Sequence, residues 1–165
     1  MAFKDAFIAE LKHEAVSTKK ILERVPVASL LWKPHEKSMS LERLATHVAD
    51  IPHWVSDIIH IDDFDFFVNY KNRNTVTTQQ ELLDMFQRRL DKAIEDLYTL
   101  DDEKLNAKWT VRRGEQVIYE LPKKVAIRSW AFNHLYHHRG QLSVYLRLLD
   151  VPVPGMYGPS ADESM

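Results

Sequence analysis

Four long stretches of this chain place apolar residues at threes and fours, the spacing of one face of an α-helix, and that periodicity leaves few folds open. In the first, Phe3 to Val25, the stripe is Phe7, Ile8, Leu11, Ala15, Ile21 and Leu22, and Pro26 ends it by removing a backbone donor. The second, Leu41 to Ile59, carries Leu44, Val48, Ile51, Val55 and Ile58, with Pro52 inside it as an expected kink or local break. Residues 26–39 between them read as an ordered connection whose Ser38 or Ser40 can cap the helix that follows. Thr78-Gln-Gln-Glu81 is a capping box that opens the third stretch, ending near Tyr98. The fourth, Lys123 to Asp150, starts behind Pro122 and stops before Val-Pro-Val-Pro-Gly, from which point the tail is expected to be extended.

The connections are less regular. Asp62, Asp63, Asp65, Asn69, Asn72 and Asn74 surround an aromatic cluster of Phe64, Phe66 and Phe67. Asp101 to Leu105 allows one short turn, and residues 108–122 place β-favouring side chains on both sides of Arg113-Gly114, predicting a small hairpin or an extended crossover. With no repeat and no low-complexity tract, the expected fold is all-α: a four-helix bundle with a long crossover connection, one domain over residues 1–165.

Charge and composition narrow the function. Lys plus Arg is 22 against 24 for Asp plus Glu, a net −2 that supplies no basic surface for nucleic acid or an anionic membrane. The chain lacks cysteine, which excludes disulfides, thiolate metal ligands and a cysteine nucleophile, and it lacks an apolar run of about 18 residues. A cytoplasmic protein is expected. No His-Glu-x-x-His, Gly-x-Ser-x-Gly or phosphate-binding glycine loop occurs.

Chemistry must therefore come from the eight histidines. At about 100° per residue, an unbroken fourth helix puts His134 among Ile127, Ala131, Trp130, Tyr145, Leu148 and Leu149, with His138 near the middle of that stripe. His137 falls toward its edge, as the rival of His138, and Arg128, Arg139, Ser143 and Arg147 take the other side. Imidazoles at i and i+4 project from successive turns in one direction, the geometry in which two rings close on one ion. A third ligand has to come from another helix, and His47 sits on the margin of the second apolar face. Any one such histidine is ordinarily a core residue with a hydrogen-bond partner. Three inward ones from two helices point to a metal with an open coordination position.

The remaining histidines, His13, His35, His53, His60 and His137, read as surface or rim residues. A carboxylate-bridged two-metal site needs Glu-x-x-His twice, and Glu10 with an outward His13 supplies it once. Asp50 with His53 and Asp57 with His60 read as a solvated face. Gly140, lacking a Cβ, is assigned a packing role, and Gln141 an orienting one toward a ligand. Tyr136 and Tyr145 are candidate hydrogen-bond donors, Tyr145 more as a core residue, and no general base is foreseen.

Asn133-His-Leu-Tyr-His-His-Arg-Gly-Gln-Leu142, with Leu44-Ala-Thr-His-Val-Ala-Asp50 upstream and Val151-Pro-Val-Pro-Gly behind it, resembles the DinB family of metalloenzymes over essentially the whole chain. The resemblance implies a dimeric four-helix bundle in which His47, His134 and His138 bind a divalent ion, zinc or nickel first and iron or manganese as alternates. It further implies a thiol-dependent S-transferase or isomerase acting on a small molecule with a low-molecular-weight thiol, which suits a chain without cysteine of its own. Metal-assisted hydrolysis is the close variant, since an open three-histidine site alone does not choose between thiol and water. The alternative is a non-catalytic dimeric metal-binding or stress-response module.

Overall fold

The computed structural model describes residues 3–70 and 75–163. Asn72 and Asn74 of the polar connection lie outside the described residues. Helix α1 spans Phe3–Leu22, and its buried Ile8, Leu11, Ile21 and Leu22 are the residues that the periodicity selects. Ser40 caps α2, Leu41–Asp50, by accepting from the Arg43 amide at 3.2 Å. The second stretch is two helices. Pro52 has no N–H to give and stands in the first turn of α3, Pro52–His60, so the chain restarts there.

Beyond α3 come strand β1, Asp63–Asp65, and the single turn α4, Phe66–Asn69. Helix α5, Gln79–Tyr98, opens on the reciprocal Thr78 and Glu81 bonds of a capping box. It packs against α1, α2 and α3. The short α6, Asp102–Asn106, leads to β2, Lys108–Arg113, and β3, Gln116–Pro122, an antiparallel hairpin that turns at Gly114 with φ +59°. The hairpin expected over 108–122 is present.

What the sequence reading lacks is β1, which pairs parallel with β2 through Asp63 and Thr110, Phe64 and Val111, and Asp65 and Arg112. The architecture is therefore mostly helical with a three-stranded sheet, and the all-α expectation is corrected. Three residues are too few to show an alternating pattern, and long-range pairing with β2 creates the strand. Asp65 fixes the junction: its Oδ1 accepts from the Phe67 amide at 2.9 Å and the Gly114 amide at 3.1 Å.

The fourth stretch departs most from expectation. It comprises α7, Lys123–Ala126, a π-helical segment Ile127–Phe132, and α8, Asn133–Leu148. A turn closed from i to i+5 carries one more residue than an α-turn, so the phase of the helix slips by about 100° across it. The buried face of α8 is accordingly Leu135, Arg139, Leu142 and Leu146, about 80–140° around from His134. Leu148, counted on the buried stripe, is 57% exposed, and Arg139, counted on the outer side, is 2% exposed. His134 and His138 are half-buried at the flank of the core.

Two further expectations are corrected. A Cβ on Gly140 would meet nothing within 4 Å, so that exposed glycine does not serve close packing. The tail is not simply extended but folds back on itself. Asp162 pairs with Arg147 and accepts from the Val153 amide, and a Cβ on Gly155 would collide with the Gly158 carbonyl oxygen. No helix among the described residues is long and apolar enough to cross a membrane.

Candidate metal centre

Helices α2 and α8 pack together, and their contact brings His47 against His134 and His138. Ring centroids lie 5.0 Å apart for His47 and His134, 4.5 Å for His47 and His138, and 4.5 Å for His134 and His138. One nitrogen from each ring falls within 4.8 Å of the other two. His137 is exposed and does not join this group, although its ring stands 4.7 Å from that of His138. The single reason is angular: positions 134 and 138 face α2, while 137 is turned toward solvent.

The donor set fits a divalent ion. Two nitrogens bound tetrahedrally at about 2.0–2.1 Å from a metal stand about 3.3 Å apart. His47 Nε2 and His134 Nε2 are 2.8 Å apart, so small ring rotations separate the observed cluster from ligating geometry. Burial together with the neighbouring His138 and His137 pushes the His134 ring down to about 4 from 6.5. Burial also lowers His138, against a raising effect of its bond to Gln141. Rings held neutral at physiological pH keep the lone pairs that a metal needs.

Gln141 sets the tautomer. Its Oε1 is 2.7 Å from His138 Nδ1, and an amide oxygen only accepts, so the proton sits on Nδ1 and the Nε2 lone pair is left to the cluster. Gln141 thus contacts one of the three histidines, the position from which an orienting role was expected of it. Tyr136 does not enter the site. Its hydroxyl donates to Glu10 Oε1 at 2.5 Å, on the α1 side of α8, and burial with that carboxylate drives its proton affinity well above the usual phenol range. Tyr145 is half-buried and donates to the Met39 carbonyl oxygen at 3.2 Å.

The three histidines lie on the wall of a cavity of about 470 Å³. Along α2 and α3 its lining runs from Met39, Ser40, Glu42 and Arg43 through Thr46, His47 and Asp50 to Trp54, with Tyr70 and Trp130 against Trp54 and Phe66 against both of these. The Trp54 ring is 4.9 Å from His134 and nearly parallel to Trp130 at 6.1 Å. The sheet backs this wall: Trp109 of β2 is 5.8 Å from Trp130, as is Tyr119 of β3. Phe66 and Trp130 figure in the sequence reading, but the convergence of these aromatics does not, because it depends on the π segment and on β1, neither of which periodicity reveals. Two carboxylates also line the cavity, where no acid or base was foreseen. Asp50 Oδ1 accepts from Arg89 at 2.9 Å, and Glu42 Oε1 from the Thr46 hydroxyl at 3.4 Å.

The Asp50, His53, Asp57 and His60 row is not a purely solvated face. It lies toward α5, where Arg89 meets Asp50 and Asp96, 2% exposed, meets His60 at 3.0 Å. His13 is exposed, and His35 accepts from the Lys37 amide at 3.1 Å.

The model of the DinB family matches residues 1–165. The chain is 24% identical to the uncharacterized protein YrdA of Bacillus subtilis over 162 residues, 96% of this chain and 90% of that one. It is 27% identical to the uncharacterized protein YjoA of the same organism over 140 residues, 83% and 84% of the two chains. Among solved structures, a DinB-like protein from Bacillus cereus superposes with a TM-score of 0.72 at 23% identity, covering 93% of this chain and 97% of that one. The crystal structure of the DinB-like YjoA gives 0.68 at 19% identity, with 96% and 98% covered.

Proposed function

The chain belongs to the DinB family, and from the meeting of its three histidines on a cavity wall we propose that it is a metal-dependent enzyme acting on a small molecule. His47, His134 and His138 hold one divalent ion, zinc or nickel before iron or manganese, as the imidazole donor set favours. The reaction is a thiol-dependent S-transfer or isomerisation, with metal-assisted hydrolysis as its variant. When bound, the ion supplies Lewis acidity that turns a coordinated thiol or water into a nucleophile at neutral pH.

The carrying observation is the cavity beside the triad. An ion that merely braced two helices would be enclosed by its ligands, whereas these rings border room for a reactant. Around them the chain's own groups divide the work. Gln141 holds the proton on His138 Nδ1, Trp54 packs its ring against His134, and Arg89 donates to Asp50 at the cavity edge. A cytoplasmic location and a homodimer belong to the same reading; the cysteine-free composition supports the first and the family resemblance the second.

Elemental analysis of untagged, chelator-free protein tests it. Near-stoichiometric metal in the wild type, lost in both His47→Ala and His134→Ala, followed by turnover of an electrophile with added thiol or of an ester without it, is the expected outcome. Wild-type protein that takes up no zinc, nickel or manganese on incubation, or turnover that survives chelation, overturns the reading.

A further inference from the structure

The two ends of the cavity differ chemically, and the difference specifies a ligand. Trp54 and Trp130 stand nearly parallel, their centroids 6.1 Å apart, with Tyr70 5.9 Å from Trp54 and Phe66 6.1 Å from Trp130. Together they make that end of the cavity aromatic, suited to a flat apolar group. Trp54 is 8% exposed and Trp130 half-buried, so the wall is fixed by its own packing before anything binds.

The opposite end holds Arg43. Its guanidinium is exposed and has no ion pair among the described residues, whereas the nearby acids are engaged: Asp50 by Arg89 and Glu42 by the Thr46 hydroxyl. An unpaired planar fork at the mouth of a cavity matches a carboxylate or a comparable oxyanion, which it can grip through two parallel bonds. Both ends lie on one line of α2 and α3, with His47 between them. Arg43 and Trp54 are eleven residues apart, about 16 Å along a helical path before side chains reach inward.

We infer that the cavity takes an elongated organic anion with an aromatic or flat apolar body, its carboxylate on Arg43, its ring on the Trp54 and Trp130 wall, and its middle against the histidines. The inference rests on the reading of this cavity as the reaction site, since it places the bond to be changed beside the triad. Recognition at the two ends, however, needs no metal, and that separates the two claims.

The test compares phenylhexanoate, phenylhexanol and phenylhexylamine by calorimetry on wild type, Arg43→Gln, Arg43→Lys and Trp130→Leu. Each protein is measured metal-free and zinc-loaded, with occupancy determined by elemental analysis. Arg43 is exposed, so its replacement leaves the core intact. The expected result is that wild type prefers the carboxylate over the alcohol by about tenfold to a hundredfold, the range of one charge-assisted bond. Arg43→Gln removes that preference in both metal states, Arg43→Lys keeps part of it, and Trp130→Leu weakens all three ligands alike. Arg43-dependent binding by a chain that takes up no metal upholds the inference while the metal reading fails. A carboxylate that binds only the zinc-loaded form and ignores Arg43→Gln overturns the inference and leaves the metal reading standing. Preference for the amine overturns it as well, making Glu42 and Asp50 the recognising groups.

Discussion

Helix α8 carries two polar clusters on neighbouring faces, and they are built on opposite plans. Toward α1, Arg139 is satisfied at every turn: Nη2 donates to Glu14 Oε2 and the Tyr157 hydroxyl at 2.5 Å, and Nη1 to the Glu14 carbonyl at 3.1 Å and the Thr18 hydroxyl at 3.0 Å. Tyr157 closes the ring by donating to Glu14 at 2.9 Å. Toward α2, His134 and His138 meet His47 as neutral rings whose nitrogens converge on one another. A fully satisfied charged network fixes one arrangement of helices and tail. Three imidazoles gathered on a cavity wall, His47 Nε2 and His134 Nε2 sharing one contact of 2.8 Å, are the arrangement expected of a site kept for binding.

The comparison breaks first at Arg139. Arg139→Ala leaves the Glu14 carboxylate buried without its cation, and a loss of about 3–5 kcal/mol in denaturant unfolding is expected. Arg139→Met with Glu14→Leu recovers most of it, because removing both charges removes the desolvation cost as well. Metal content per folded chain stays unchanged in either variant. If it falls in step with stability, the two clusters are one unit.

Gln141→Ala sharpens the contrast from the other side. Freeing His138 Nδ1 lets the ring change tautomer and swing, so zinc affinity in a competitive chelator titration is expected to weaken about 10–100-fold with little change in the unfolding midpoint. An unchanged affinity would return Gln141 to a surface role.

A smaller effect follows from pH. The folded His134 ring titrates at about 4, below the 6.5 of an unperturbed ring, so between those values the unfolded chain holds a proton that the folded chain lacks. Metal-free protein therefore keeps its full stability above pH 6.5 and loses it as the pH falls toward 4. Allowing for the partial exposure of the ring, the loss is on the order of 2 kcal/mol. His134→Ala flattens that portion of the stability profile, and a profile identical to wild type would show that the ring is not held neutral by the fold.

The Glu14 and Arg139 clamp also marks where the sequence is silent. Nothing in His-Arg-Gly-Gln separates a clamping arginine from a surface one, because charge patterning assigns arginine outward unless a partner is known. Glu14 is 125 positions away, on a face of α1 that the chain alone does not pair with α8. The same holds for Gly140, whose missing Cβ suggested close approach where the fold leaves open space.

Local physics determined most of the helices and the identity of the cluster. The 3.6-residue period, Pro26, Pro52, Ser40 and the Thr78 and Glu81 box are short-range features that place α1, α2, α3 and α5 before any contact between them is known. The i,i+4 spacing of His134 and His138, with His47 on the rim of another apolar face, is likewise legible, since a helix fixes the direction of each side chain. Tertiary structure alone decided the rest. One extra residue in the 127–132 turn rotates α8 and exchanges which of its faces is core, and the pairing of β1 with β2 brings the aromatic wall beside the histidines. Both depend on energy shared between segments far apart in the chain, which no window of sequence contains.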